Sequence, residues 1–91
     1  MSEEKENSPK KSQTSQIAEA RRFEQLAYDS LKNKKLGDAE SNFKKALECI
    51  EAAGDEPGKA FIYGNLGNLY FQSKKLEEAE DNYKKALAKM E

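Results

Sequence analysis

From Ile17 the apolar positions fall into a helical rhythm: Phe23, Leu26, Ala27 and Leu31 recur three and four residues apart, on one face of a helix. Ser15 is the expected N-cap of this first helix. The segment Lys34-Lys35-Leu36-Gly37 then breaks the rhythm with a glycine and paired cations suited to a helix C-terminus. A second helix is predicted from about Asp38, with Ala39, Phe43, Ala46, Leu47 and Ile50 on one stripe. Gly54-Asp55-Glu56-Pro57-Gly58 supplies a left-handed stop, an N-cap acceptor and a proline tolerated in a first turn, so the chain reverses there. A third helix is expected from about Glu56 to Ser73, with Tyr63, Leu66 and Tyr70 on one face and Gly67 beside them for close backbone approach. A fourth, from about Leu76, carries Ala79, Tyr83, Ala86, Leu87 and Met90. No stretch alternates apolar and polar residues between turn clusters. The expected fold class is therefore all-α: two antiparallel helix-turn-helix hairpins, 16–53 and 58–91, joined by a loop at 54–57.

Residues 1–15 stand outside this pattern, with almost nothing to bury and the Ser, Lys and Glu mixture of a disordered polar tail. Within them Ser8-Pro9-Lys10-Lys11 fits the pattern favoured by proline-directed kinases and resembles short basic motifs that touch the DNA minor groove.

A shift of about 40 residues lays the second hairpin on the first. Ala20 falls on Ala60, Leu26 on Leu66, Lys34-Lys35-Leu36 on Lys74-Lys75-Leu76, Ala39 on Ala79, Asn42 on Asn82, Phe43 on Tyr83, and Lys44-Lys45-Ala46-Leu47 on Lys84-Lys85-Ala86-Leu87. Self-similarity of this period is the mark of a solenoid. Small residues at 67, 79 and 86 permit close helix contact, and large ones at 63, 66, 70 and 83 fill the space between.

Those residues carry a resemblance. The second copy resembles the tetratricopeptide pattern in Tyr63, the pair Leu66-Gly67, Tyr70, Ala79, Tyr83 and Ala86. The first copy matches at Phe23, Leu26, Ala27, Ala39, Phe43 and Ala46, but Ser30 stands in place of the aromatic corresponding to Tyr70. Glu51 and Glu91 replace the usual proline after the second helix of each repeat. The long period, the missing proline and the phrase Asn65-Leu66-Gly67-Asn68 are similar to the extended-repeat variant of kinesin light chains and Pins-type G-protein-signalling modulators.

The resemblance implies a short right-handed superhelix whose first and third helices line a concave groove, and a non-catalytic module that binds a peptide or protein segment there. Its groove positions fall here on Arg21, Gln25, Tyr28 and Lys32, and on Phe61, Asn65, Asn68, Phe71 and Gln72. The amides can donate to and accept from a peptide backbone, and Phe61 and Phe71, outside the core stripes, are candidate anchors. The two-carboxylate clamp that chaperone-binding members make is not matched. Asn65 fits one position, but Glu24 stands where a lysine is needed and Tyr28 where an asparagine is needed. An alternative is assembly through the fourth helix: Tyr83, Ala86, Leu87 and Met90 repeat the apolar stripe of the second helix with no third repeat to cover them, which suits self-association or docking of a partner.

Composition narrows the chemistry. Histidine is absent, which removes the usual general base and the commonest imidazole ligand, and no titratable set converges at catalytic spacing; no enzyme, cofactor or metal is expected. The single Cys49 cannot form an internal disulfide and reads as a partly buried structural thiol. Lysine pairs at 34/35, 44/45, 74/75 and 84/85 suggest a nucleic-acid stripe, but Glu40, Glu48, Glu77, Glu78, Glu80 and Asp81 interleave with them, as on a solvated helix surface. With no apolar run long enough to cross a bilayer and no secretory leader, no membrane role and a cytoplasmic or nuclear setting are expected.

Overall fold

The computed structural model describes residues 12–90, apart from the side chains of residues 89 and 90. The Ser8-Pro9-Lys10-Lys11 motif and most of the expected tail lie outside them, as does the Met90 side chain. Four helices follow in order: α1 (Gln13–Lys32), α2 (Leu36–Ala53), α3 (Glu56–Gln72) and α4 (Leu76–Met90).

The first boundary differs from the expected one. Ser12, not Ser15, caps α1: its hydroxyl accepts from the Ser15 backbone N–H at 3.1 Å, so Ser15 is the capped donor. Gln13 Nε2 donates to the Ala53 carbonyl at 2.8 Å, which fastens this first turn to the end of α2. Apolar periodicity is silent there because Gln13, Thr14 and Ser15 are polar and exposed.

The reversal between α1 and α2 is made by a lysine. Lys34 adopts φ 59°, with its N–H bonded to the Leu31 carbonyl and the Lys35 N–H to the Ser30 carbonyl at 2.8 Å, closing a Schellman motif. Gly37, expected to break the helix, lies inside α2, which starts at Leu36. The motif recurs 40 residues on: Lys74 has φ 62° and the Lys75 N–H bonds the Tyr70 carbonyl at 2.8 Å. Between the hairpins α3 begins at Glu56, inside the stretch expected as a loop, because Asp55 caps it directly. Gly54 is left-handed at φ 73°, Asp55 caps α3 by accepting from the Gly58 N–H at 3.0 Å, and Pro57 sits in the first turn.

Each helix packs on its neighbour in the chain, so α3 is held between α2 and α4. Phe43, Ile62 and Leu69 are the largest fully buried side chains, inside a core completed by Ala20, Ala27, Ala39, Ala46, Ile50, Leu66, Tyr70 and Ala79. Ile62 and Leu69 escape a reading based on matches between the copies, because their counterparts in α1 are Arg22 and Asp29. They share a helical stripe with Leu66 and Tyr70, and the Tyr70 hydroxyl donates to Glu40 Oε2 of α2 at 2.6 Å. This stripe is the seam between hairpins. On α1 the same stripe reads Arg22, Leu26, Asp29 and Ser30, polar at three of the four positions where α3 is buried. Leu26 is 50% exposed, whereas Leu66 is 2% exposed.

The seam has a pH signature. The Tyr70 hydrogen bond, helped by Lys44 at 3.2 Å, holds the Glu40 carboxyl below its ordinary range against the opposing effect of burial. A lowered folded value means that this stabilisation is present at neutral pH and lost as the pH falls through that value. Glu40→Gln should therefore lower the melting temperature at pH 7, while the difference from wild type shrinks and is lost as the pH falls through the lowered Glu40 value. Thermal melts followed by circular dichroism across that range check it; an unchanging difference would show that the lost contact is not ionic.

Candidate functional site

Arg21, Gln25, Tyr28 and Lys32 follow one stripe of α1, and Phe61, Asn65, Asn68 and Gln72 follow the same spacing on α3. The two stripes meet at one hydrogen bond. Asn65 Nδ2 donates to the Tyr28 hydroxyl at 3.0 Å, linking helices whose backbones do not pack directly. The Tyr28 ring packs against the buried Phe43 in a T-shaped arrangement, with centroids 5.6 Å apart and planes at 78°. Burial raises the Tyr28 pKa, so the phenol stays protonated at neutral pH and keeps its own O–H to offer. Asn65 keeps its amide oxygen as an acceptor.

The remaining stripe residues divide. Phe61 is 58% exposed; Arg21, Lys32 and Gln72 are exposed, and Gln25 is exposed with Nε2 donating to Asp29 Oδ1 at 3.3 Å. Asn68 is bound to its own hairpin, its Oδ1 accepting from the Tyr83 hydroxyl at 2.5 Å. This repeats, in polar form, the Tyr28–Phe43 ring contact of the first hairpin. Phe71 is 61% exposed but stands roughly 80° around the helix from Phe61, so it borders the stripe instead of lying in it.

Between the middle of α1 and the first turns of α3 the two stripes flank a cleft of about 370 Å3, lined among the described residues by Arg21, Glu24, Ile50, Asp55, Pro57, Gly58 and Phe61. Burial raises the Glu24 pKa, Arg21 pulls it down and Asp55 pushes it up. Sequence reasoning named Glu24 only as a mismatch and Asp55 only as a cap. Nothing in helical periodicity brings a loop aspartate to a groove, so no sequence signal joins them.

On the opposite face α2, α3 and α4 enclose a second cleft of about 400 Å3, bordered by Lys44, Leu47, Glu48, Asn82 and Lys85 over Tyr63, Leu66 and Tyr70. The helical lysine pairs have intramolecular partners here. Lys45 lies over the Phe23 ring at 5.8 Å and Lys85 over Tyr63 at 5.5 Å; Lys44 pairs with Glu40 and Lys84 with Glu80. Cys49 is half-buried, with its thiol 3.9 Å from Glu19 Oε1. Of the four residues expected on an assembly face, Tyr83 packs against Gly67 and Ala86 is buried, whereas Leu87 is 62% exposed.

Among the described residues no group of three metal-ligating side chains gathers, and no helix is long and apolar enough to cross a membrane. No curated protein and no solved structure matches the chain. A family model does: the model described as tetratricopeptide repeat, a family of protein–protein interaction modules, matches residues 16–91. Two stacked hairpins with copied turns, lysine contacts and core positions agree with that match, and the chain belongs to the tetratricopeptide repeat family.

Proposed function

We propose that the groove between α1 and α3 binds an extended peptide segment of a protein partner, in a non-catalytic adaptor role. The observation that carries this reading is Phe61. A large aromatic side chain more than half exposed, beside the Asn65–Tyr28 pair, joins an apolar anchor to unused donors and acceptors. A peptide backbone has one donor and one acceptor per residue and would use the Tyr28 O–H and the Asn65 carbonyl oxygen. Arg21, Gln25 and Lys32, with Asn68, Gln72 and the bordering Phe71, would set selectivity.

The test is selection of nine-residue peptides from a displayed library, followed by binding to variants. Phe61→Ser is expected to weaken selected peptides at least ten-fold with little change in melting temperature, since an exposed side chain contributes little to folding. Asn65→Ala should weaken them less. Undiminished binding to Phe61→Ser would remove the groove from consideration.

A second reading, assembly through α4, is favoured by Leu76 and Leu87, which are 60% and 62% exposed and, eleven residues apart, lie on one face of the helix. The outward stripe of α1 is not complementary to it, because Arg22, Asp29 and Ser30 stand where α3 has Ile62, Leu69 and Tyr70. Assembly through α4 would therefore join α4 to another α4 or to a different partner. Sedimentation at rising concentration tests self-association, with Leu87→Ser as the variant that abolishes it.

A further inference from the structure

The cleft at the mouth of the groove has a chemistry of its own. Among the described residues, Glu24 and Asp55 bring two carboxylates to it against one guanidinium, Arg21, a balance of one net negative charge. Glu24 is half-buried, with no hydrogen bond or ion pair to another described residue, and Asp55 has only Oδ1 engaged, by the Gly58 N–H. Ile50, Pro57 and the exposed Phe61 ring supply apolar walls beside these acids.

We propose that this cleft is the subsite for a lysine or arginine side chain of an extended peptide, its cation between the Glu24 and Asp55 carboxylates and its stem along Phe61 and Ile50. The proposal rests on the groove reading above and names the residue type that reading leaves open. Three physical arguments select a cation. An anionic side chain would meet two like charges. A neutral apolar one would strip more water from Glu24 without supplying a partner. A long cationic side chain satisfies the carboxylates with its head and the walls with its methylenes, and the face of Phe61 adds attraction to the charge. Burial raises the Glu24 pKa even though Arg21 pulls it down, and Asp55 adds to the rise, so a second cation would be accommodated beside Arg21.

The experiment uses four pools of nine-residue peptides with lysine, arginine, norleucine or glutamate fixed at the centre, titrated into the chain and followed by amide resonances. Glu24→Gln is the companion variant; it keeps the side chain's shape and leaves the Asp55 cap intact. The cationic pools should shift Gly58 and Phe61 and bind about ten-fold tighter than the norleucine pool, with the difference lost in Glu24→Gln and reduced by salt. Equal binding of the norleucine pool along α1 and α3 would overturn the subsite and leave the groove reading standing. Preference for glutamate would overturn it by making Arg21 the anchor. Absence of binding by every pool would overturn the subsite and the groove together.

Discussion

Phe43→Ala is expected to leave the chain largely unfolded at 25 °C. The ring is fully buried between the hairpin's own helices, with Tyr28 standing edge-on at 5.6 Å and the buried Ala27, Ala39 and Ala46 in the same core. Deleting a buried phenylalanine costs about 3–5 kcal/mol, because transfer energy and packing are lost together. At about 0.05–0.15 kcal/mol per residue, two hairpins hold little more than that in total, and small repeat arrays sit low in the range. Far-UV circular dichroism should show most of the helical signal gone. Leu87→Ala, which removes an exposed side chain of similar size, should stay within about 0.5 kcal/mol of wild type. A folded Phe43→Ala would mean that the first hairpin derives little stability from its central ring.

The second large effect is a contrast between two glycines of one helix. A Cβ at Gly67 would lie 2.6 Å from Tyr83 Cε1 and 2.7 Å from Cδ1, and that ring is tethered at its far end by the bond to Asn68. A Cβ at Gly64 would meet nothing within 4 Å. Both substitutions gain roughly 1 kcal/mol of helix propensity, but at 67 the overpacking of a tethered ring costs about 1–3 kcal/mol. Gly64→Ala should therefore raise the melting temperature by about 4–8 °C, and Gly67→Ala should lower it. The first hairpin suggests a rescue, since Ala27 faces Phe43 there without a hydroxyl tether. Adding Tyr83→Phe to Gly67→Ala should recover part of the loss. Equal melting temperatures for the two alanine variants would contradict the close approach.

Much of the fold is legible because its determinants are local. Gly54, Asp55 and Pro57 each specify a backbone state by themselves, and the apolar stripes of α2 and α4 repeat at helical spacing. What escaped depends on context. Lys34 and Lys74 take left-handed conformations that lysine does not favour, so glycine at 37 drew attention to the wrong residue. Ser12 was hidden because a cap needs no apolar neighbour. Ile62 and Leu69 were missed for an opposite reason: matched positions reveal what both copies share, while the seam between hairpins shows up where they differ, in Ile62 against Arg22 and Leu69 against Asp29. The groove stripes were legible as spacing, but not the Asn65–Tyr28 bond that joins them or the drawing of Asn68 toward Tyr83. The cleft was not legible, since it assembles residues from two helices, a third helix's end and a loop.

The central claim, that the chain meets its partner through the face shared by α1 and α3, is tested most directly by a photo-crosslinking amino acid placed singly at position 61 or at position 87. Both sites are exposed, and they lie on the groove and on α4 respectively. Position 61 should yield one crosslinked partner, lost on competition with a selected groove peptide, and position 87 none. Crosslinking from position 87 alone, unaffected by that peptide, would contradict it.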